Sequence, residues 1–144
     1  MEKNIKLLIL VAFCFIFQMC IPPEYDQHLY MVNGTSNDTL EIQFNSRESR
    51  MQMLPGKEYW AGAITDVSKI DEDNLKYIVD NTHSSIKVFW HDTCLVHWTG
   101  PMQNMGDTVH DFFNHDSWEG KAQSSQYNWY FTITKDDRKQ PQEE

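Results

Sequence analysis

The sequence predicts a mostly β domain, an antiparallel immunoglobulin-like or transthyretin-like sandwich with one short helical connection. Three observations predict it. Short segments alternate apolar and polar residues, as half-buried strands do. Turn clusters separate those segments at near-regular intervals. A single stretch, near residues 69–80, changes to helical spacing. In order, Leu29 to Val32 is a strand candidate, followed by the turn cluster Asn33 to Asp38. Leu40, Ile42 and Phe44 then alternate with Glu41, Gln43 and Asn45, completing an expected hairpin. Met51 to Leu54, closed by Pro55-Gly56, and Tyr59 to Ile64 read as a second pair.

The helix follows from Val67, Ile70, Asn74, Leu75 and Ile78, with Ser68 as cap, acids Asp71 to Asp73 in the first turn and Asn81 at the exit. Ile86 to Trp98 is the clearest hairpin. Ile86, Val88 and Trp90 share one face, His91-Asp92-Thr93 turns the chain, and Cys94, Val96 and Trp98 share a face on the return. Met102 to Asp116 is irregular, with a helical turn expected around residues 108–113. Strands at Ser117 to Ala122 and Tyr127 to Thr134 finish the domain. Asn33-Gly34-Thr35 and Asn37-Asp38-Thr39 also fit the N-glycosylation sequon but read more simply as turns.

Ahead of the domain lies a segment with different physics. Lys3 and Lys6 precede an unbroken apolar run of 11 residues, Leu7 to Phe17. A spanning helix needs about 20 apolar residues, whereas a cationic start and an apolar centre of roughly 7–15 fit an export signal. The basic residues keep that end in the cytoplasm. Phe17-Gln18-Met19 is not the small-residue ending of an ordinary signal. Cys20, placed directly after the run and followed by Pro22 and Pro23, resembles a bacterial lipoprotein signal, of the looser kind in Bacteroidetes-type bacteria. That resemblance implies a mature chain beginning at Cys20, with a diacylglycerol group on its sulfur and an acylated amine. Two or more acyl (palmitate-type) chains, at ~0.8 kcal/mol per buried CH2, hold a protein where one does not. The organisation is then a signal over 1–20, a tether over 21–27, the β-rich domain over 28–134 and a charged flexible tail over 135–144.

Composition excludes several classes of function. Twelve Lys and Arg against 21 Asp and Glu give a net charge of −9, and such a surface repels nucleic acid. With Cys14 and Cys20 assigned to the leader and anchor, Cys94 stands alone, expected buried and inert in a domain held by its core. No G-x-S-x-G, H-E-x-x-H or phosphate-binding glycine loop occurs, so no catalytic residue and no cofactor is expected. The acidic run Asp71 to Asn74 lacks the glycine and distal glutamate of a calcium loop. His110 and His115 are the only metal-ligand candidates, and no third ligand stands at a recognised spacing. Trp90, Trp98 and Trp129 fall on expected inward faces. Tyr59, Trp60 and Trp118 are less committed, and together could form a stacking platform for a ligand.

Four blocks carry a wider likeness: Asn37 to Ile42, Trp98 to Pro101, Phe112 to Trp118 and Phe131 to Thr134. In that order they resemble blocks of small uncharacterised lipoproteins of Bacteroidetes-type bacteria. That family has no assigned activity, so the resemblance implies an anchor and a compartment and no site residue. The expectation is a lipid-anchored envelope protein at the outer membrane or cell surface, a non-catalytic interaction or structural module with a protein or glycan partner. A carbohydrate-binding accessory domain is the alternative, and a metal-assisted hydrolase using His110 and His115 the second alternative.

Overall fold

A computed structural model describes residues 24–45, 49–101, 110–124 and 126–139 of the chain. Among them lie strands β1 (Tyr25–Asn33), β2 (Leu40–Phe44), β3 (Met51–Met53), β4 (Glu58–Val67), β5 (Ser85–Trp90), β6 (Thr93–Thr99), β7 (Trp118–Gln123) and β8 (Gln126–Ile133). One helix, α1 (Glu72–Thr82), connects β4 to β5. The leader with Cys20, and residues 108 and 109 of the expected helical turn, lie outside the described residues. The mostly β expectation holds: sheet A has the order β4-β1-β8-β7 and sheet B the order β3-β2-β5-β6. All neighbours are antiparallel except β1 and β8, which run parallel.

The two sheets meet over one apolar core, because each strand turns its alternate residues inward. Leu29, Met31, Phe131 and Ile133 come from sheet A, and Leu40, Ile42, Ile86, Val88 and Trp98 from sheet B. Trp98 meets Phe131 edge-to-face across the gap, with centroids 5.1 Å apart. Phe112 and Phe113, from the loop before β7, fill the same space.

Two expected hairpins are not formed. β1 and β2 lie in different sheets, and so do β3 and β4. Their connections, residues 34–39 and 54–57, are arches that carry the chain across the roughly 10 Å between packed sheets. Alternation reports which residues face the core and is silent on which sheet a strand joins. Asn33 stitches the first arch. Its buried amide donates to the carbonyls of Asp38 and Met53, both at 2.8 Å, and its Oδ1 accepts from Thr35 N and Oγ1 at 3.0 and 2.6 Å. A sequon amide used this way is part of the core. The hairpin expected at Ile86 to Trp98 is present as β5 and β6. His91 and Asp92 both take positive φ, 46° and 63°, as a type I′ turn requires.

Cys94 departs from its expected place. A bulge pairs Val88 with Val96 but Phe89 with Cys94, leaving Leu95 as the extra residue. Leu95 therefore packs on the core, and Cys94 is half-buried, its thiol 3.6 Å from the Val96 carbonyl.

Both domain boundaries also shift. The expected tether includes Tyr25 to Gln27, which belong to β1. Gln27 is fully buried, and this is what hid it: its Oε1 accepts from Trp129 Nε1 at 2.8 Å and its Nε2 donates to the Lys69 carbonyl at 3.3 Å. At the other end, the expected flexible tail includes a 3-10 turn, Asp136–Lys139. Asp137, 2% exposed, accepts from Thr134 N and Oγ1 and pairs with His110 Nδ1 at 2.5 Å. A charged stretch looks solvated until its partners are known.

The helix begins later than its spacing suggests. β4 runs on to Val67, and Asp71, not Ser68, is the cap, accepting from Asn74 N at 3.0 Å. Leu75, Ile78 and Val79 face the core. The ion pair and hydrogen bond with Lys69, then the Asn74 amide, hold the Asp71 carboxyl below the ordinary carboxylate value. A depressed folded pKa stabilises the fold above the unfolded value, and that support is lost as pH falls through the folded one. Asp71→Ala is expected to cost about 1 kcal/mol near neutral pH, with the difference from wild type shrinking as the pH falls below the ordinary carboxylate value. Urea unfolding at pH 7 and pH 2.5 measures both.

Candidate functional site

Burial divides the expected ligand platform. Tyr59 pairs with Met31 and points inward, where its Oη accepts from Leu54 N at 2.7 Å. Trp118 pairs with Phe131 on the same inner side, is 7% exposed, and donates from Nε1 to the Phe112 carbonyl at 2.9 Å. Trp60 alone faces out, with 61% of its surface exposed. Tyr59, Trp60 and Trp118 thus do not make one surface. Neighbours in a strand point to opposite sides, and Trp118 heads a strand whose partner at that position is a core phenylalanine.

Trp60 has other company. Across the ladder Trp60 pairs with Tyr30, and Tyr30 with Tyr130, so the three rings form a row over β4, β1 and β8 on the outer face of sheet A. Tyr30 and Tyr130 stack at 5.6 Å, His28 stacks on Tyr30 at 6.3 Å, and the Lys121 ammonium sits 5.1 Å from the Tyr130 ring centre. In the next row is Asn128, 4% exposed, whose Nδ2 donates to Gln123 Oε1 at 3.0 Å and Tyr130 Oη at 3.4 Å. Its Oδ1 has no hydrogen-bond partner among the described residues, an uncommon state for a buried acceptor. Tyr30 was open to discovery from sequence, since it stands between Leu29 and Met31, which both face inward. Tyr130 was not, because Trp129, Tyr130 and Phe131 form a run without polar alternation.

The two histidines are occupied separately. His110 lies flat on Phe131 at 4.6 Å and pairs with Asp137. His115 approaches Asp116 at 3.0 Å and Glu72 at 3.9 Å. The two rings share no carboxylate: Asp137 pairs with His110, and Asp116 and Glu72 approach His115. No group of three His, Cys, Asp or Glu suited to a metal occurs among the described residues. Beside them, burial pushes the Asp111 carboxyl up, while the Phe113 amide, 2.7 Å from Oδ1, works in the opposite direction. These contacts tie the loop before β7 and the chain end to the core. They are structural.

The outer face of sheet B carries a groove of about 480 Å3, lined by Gln43, Asn45, Ser85, Lys87, His97 and Thr99. Gln43, Lys87 and His97 form one row over β2, β5 and β6, with Ser85 opposite Thr99 in the next. Partial burial, and then the Lys87 charge, lower the His97 pKa.

Among the described residues no helix is long and apolar enough to cross a membrane. No protein-family model matches the chain, and neither a curated protein nor a solved structure does.

Proposed function

We propose that this chain is a non-catalytic interaction module of the bacterial envelope, exported by its leader and held at the outer membrane or cell surface by lipid on Cys20. Its contact surface is the outer face of sheet A. The observation that carries the reading is Trp60, an exposed indole fixed on a paired strand in one row with Tyr30 and Tyr130. Aromatic residues anchor interfaces because they bury large areas at small entropic cost. The resemblance to Bacteroidetes-type lipoproteins supports the compartment, and the short apolar leader supports export. Of the two sandwich types expected, the transthyretin-like one fits better. Immunoglobulin sandwiches keep their first two strands in one sheet, whereas here β1 and β2 are divided.

The test is fractionation of cells making the full chain. Wild type is expected in the envelope, with an acylated N-terminal cysteine by intact mass, and Cys20→Ala in the soluble fraction. Unprocessed wild-type protein in the cytosol overturns the reading.

A glycan ligand for the same face is the second reading. The unpartnered Asn128 Oδ1 beside the aromatic row favours it, since sugars offer an apolar ring face together with hydroxyl donors. In gels containing soluble neutral polysaccharide, wild type should be retarded and Trp60→Ala should not. Stability should change by no more than about 0.5 kcal/mol, as for exposed positions generally.

A further inference from the structure

The groove on sheet B lies on the opposite side of the sandwich, and its chemistry differs from that of the aromatic row. Every lining residue has a side chain able to form hydrogen bonds, and none is a carboxylate. Lys87 is half-buried there, without an ion-pair partner among the described residues. Glu41, in the following row of this face, is paired with Arg50 at 3.2 Å. Arg50 in turn lies over the Phe89 ring at 3.7 Å. Asn45 commits its Oδ1 to Ser84 N and Oγ, at 2.6 and 3.1 Å, which leaves its NH2 as a donor. The Ser85 and Thr99 hydroxyls and the His97 ring add to it.

A cation set among hydrogen-bonding side chains, with no acid paired to it among the described residues, is matched by a ligand rich in acceptors and carrying one negative charge. The volume falls within the range of small-molecule sites, about 300–1,000 Å3. The net charge of −9 does not prevent this, because fields in physiological salt decay over about 8 Å and the contact with Lys87 is local. We propose that this groove binds a hydroxylated carboxylate, the chemistry of a sugar acid. The carboxylate pairs with Lys87, and the hydroxyls engage Asn45, Ser85, His97 and Thr99. The unit arrives either as a free sugar acid or as part of an acidic polysaccharide.

Titration of the full-length protein with sodium glucuronate, followed by amide 1H–15N signals, tests the proposal. Shifts are expected at residues 85–87 and 97–99. Glucose and acetate, each offering half of the chemistry, should bind at least about tenfold more weakly, as should glucuronate to Lys87→Gln, each tenfold being about 1.4 kcal/mol. Thr99→Val should weaken binding without touching the charge, and Trp60→Ala should leave it unchanged, which separates this site from the aromatic face. A galacturonate oligomer that binds more tightly with the same shifts identifies a polysaccharide; equal or weaker binding identifies the free acid. The proposal is overturned if no probe moves those signals, if glucose equals glucuronate, or if Lys87→Gln keeps wild-type affinity.

Discussion

Replacing Phe131 by alanine is expected to cost about 3–5 kcal/mol of folding stability. Its ring is fully buried at the centre of an aromatic cluster, edge-on to Trp98 at 5.1 Å and Phe112 at 5.5 Å, tilted against Trp118 at 5.5 Å and stacked under His110 at 4.6 Å. These partners come from β6, the loop before β7, and β7 itself, so truncation opens a cavity that no single segment can close. Phe131→Leu keeps most of the volume and should recover a large part of the loss. For a domain of total stability about 5–15 kcal/mol the alanine variant is close to unfolding. Equilibrium urea unfolding decides the matter. A loss under about 1 kcal/mol, the range of ordinary substitutions, contradicts this account of the core.

Asn33→Ala should come next, at about 3 kcal/mol, by a different mechanism. The side chain fills both donor and acceptor roles, and each buried group left unpaired costs about 1–3 kcal/mol. The Asp38 and Met53 carbonyls, the Thr35 amide and the Thr35 hydroxyl all lose a partner. Asn33→Asp separates hydrogen bonding from shape. It keeps two acceptors for Thr35 but cannot donate to the carbonyls, and so should destabilise comparably near neutral pH. Stability of the aspartate variant within about 0.5 kcal/mol of wild type, as for a surface site, would show that the stitch between sheets carries little energy.

How much of this was legible in the sequence depended on distance along the chain. The β5–β6 hairpin was readable because its two-residue turn and both faces lie within 14 neighbouring positions, residues 85–98. The arch from β1 to β2 was not, since alternation is identical whether Leu40 pairs beside Leu29 or across the core from it. Gln27 and Asp137 were hidden for a related reason. Burial of a polar group depends on its partners, and Trp129 and His110 stand far off in sequence. The candidate surface followed the same rule. Trp60 was identified by residue type, but its neighbours Tyr30 and Tyr130 are assembled by registers between the first strand and the last.

That register has a further consequence. β1, the opening strand, is held on one side by β8, which closes the domain, in a parallel ladder from Asp26 and Gln126 to Asn33 and Ile133. A growing chain that has not yet reached residue 126 lacks the partner of its own first strand, and contacts separated by nearly the whole chain form slowly. Under the export proposed above, a chain whose first described strand lacks its β8 partner until residue 126 has emerged suits threading through a translocation channel before it folds.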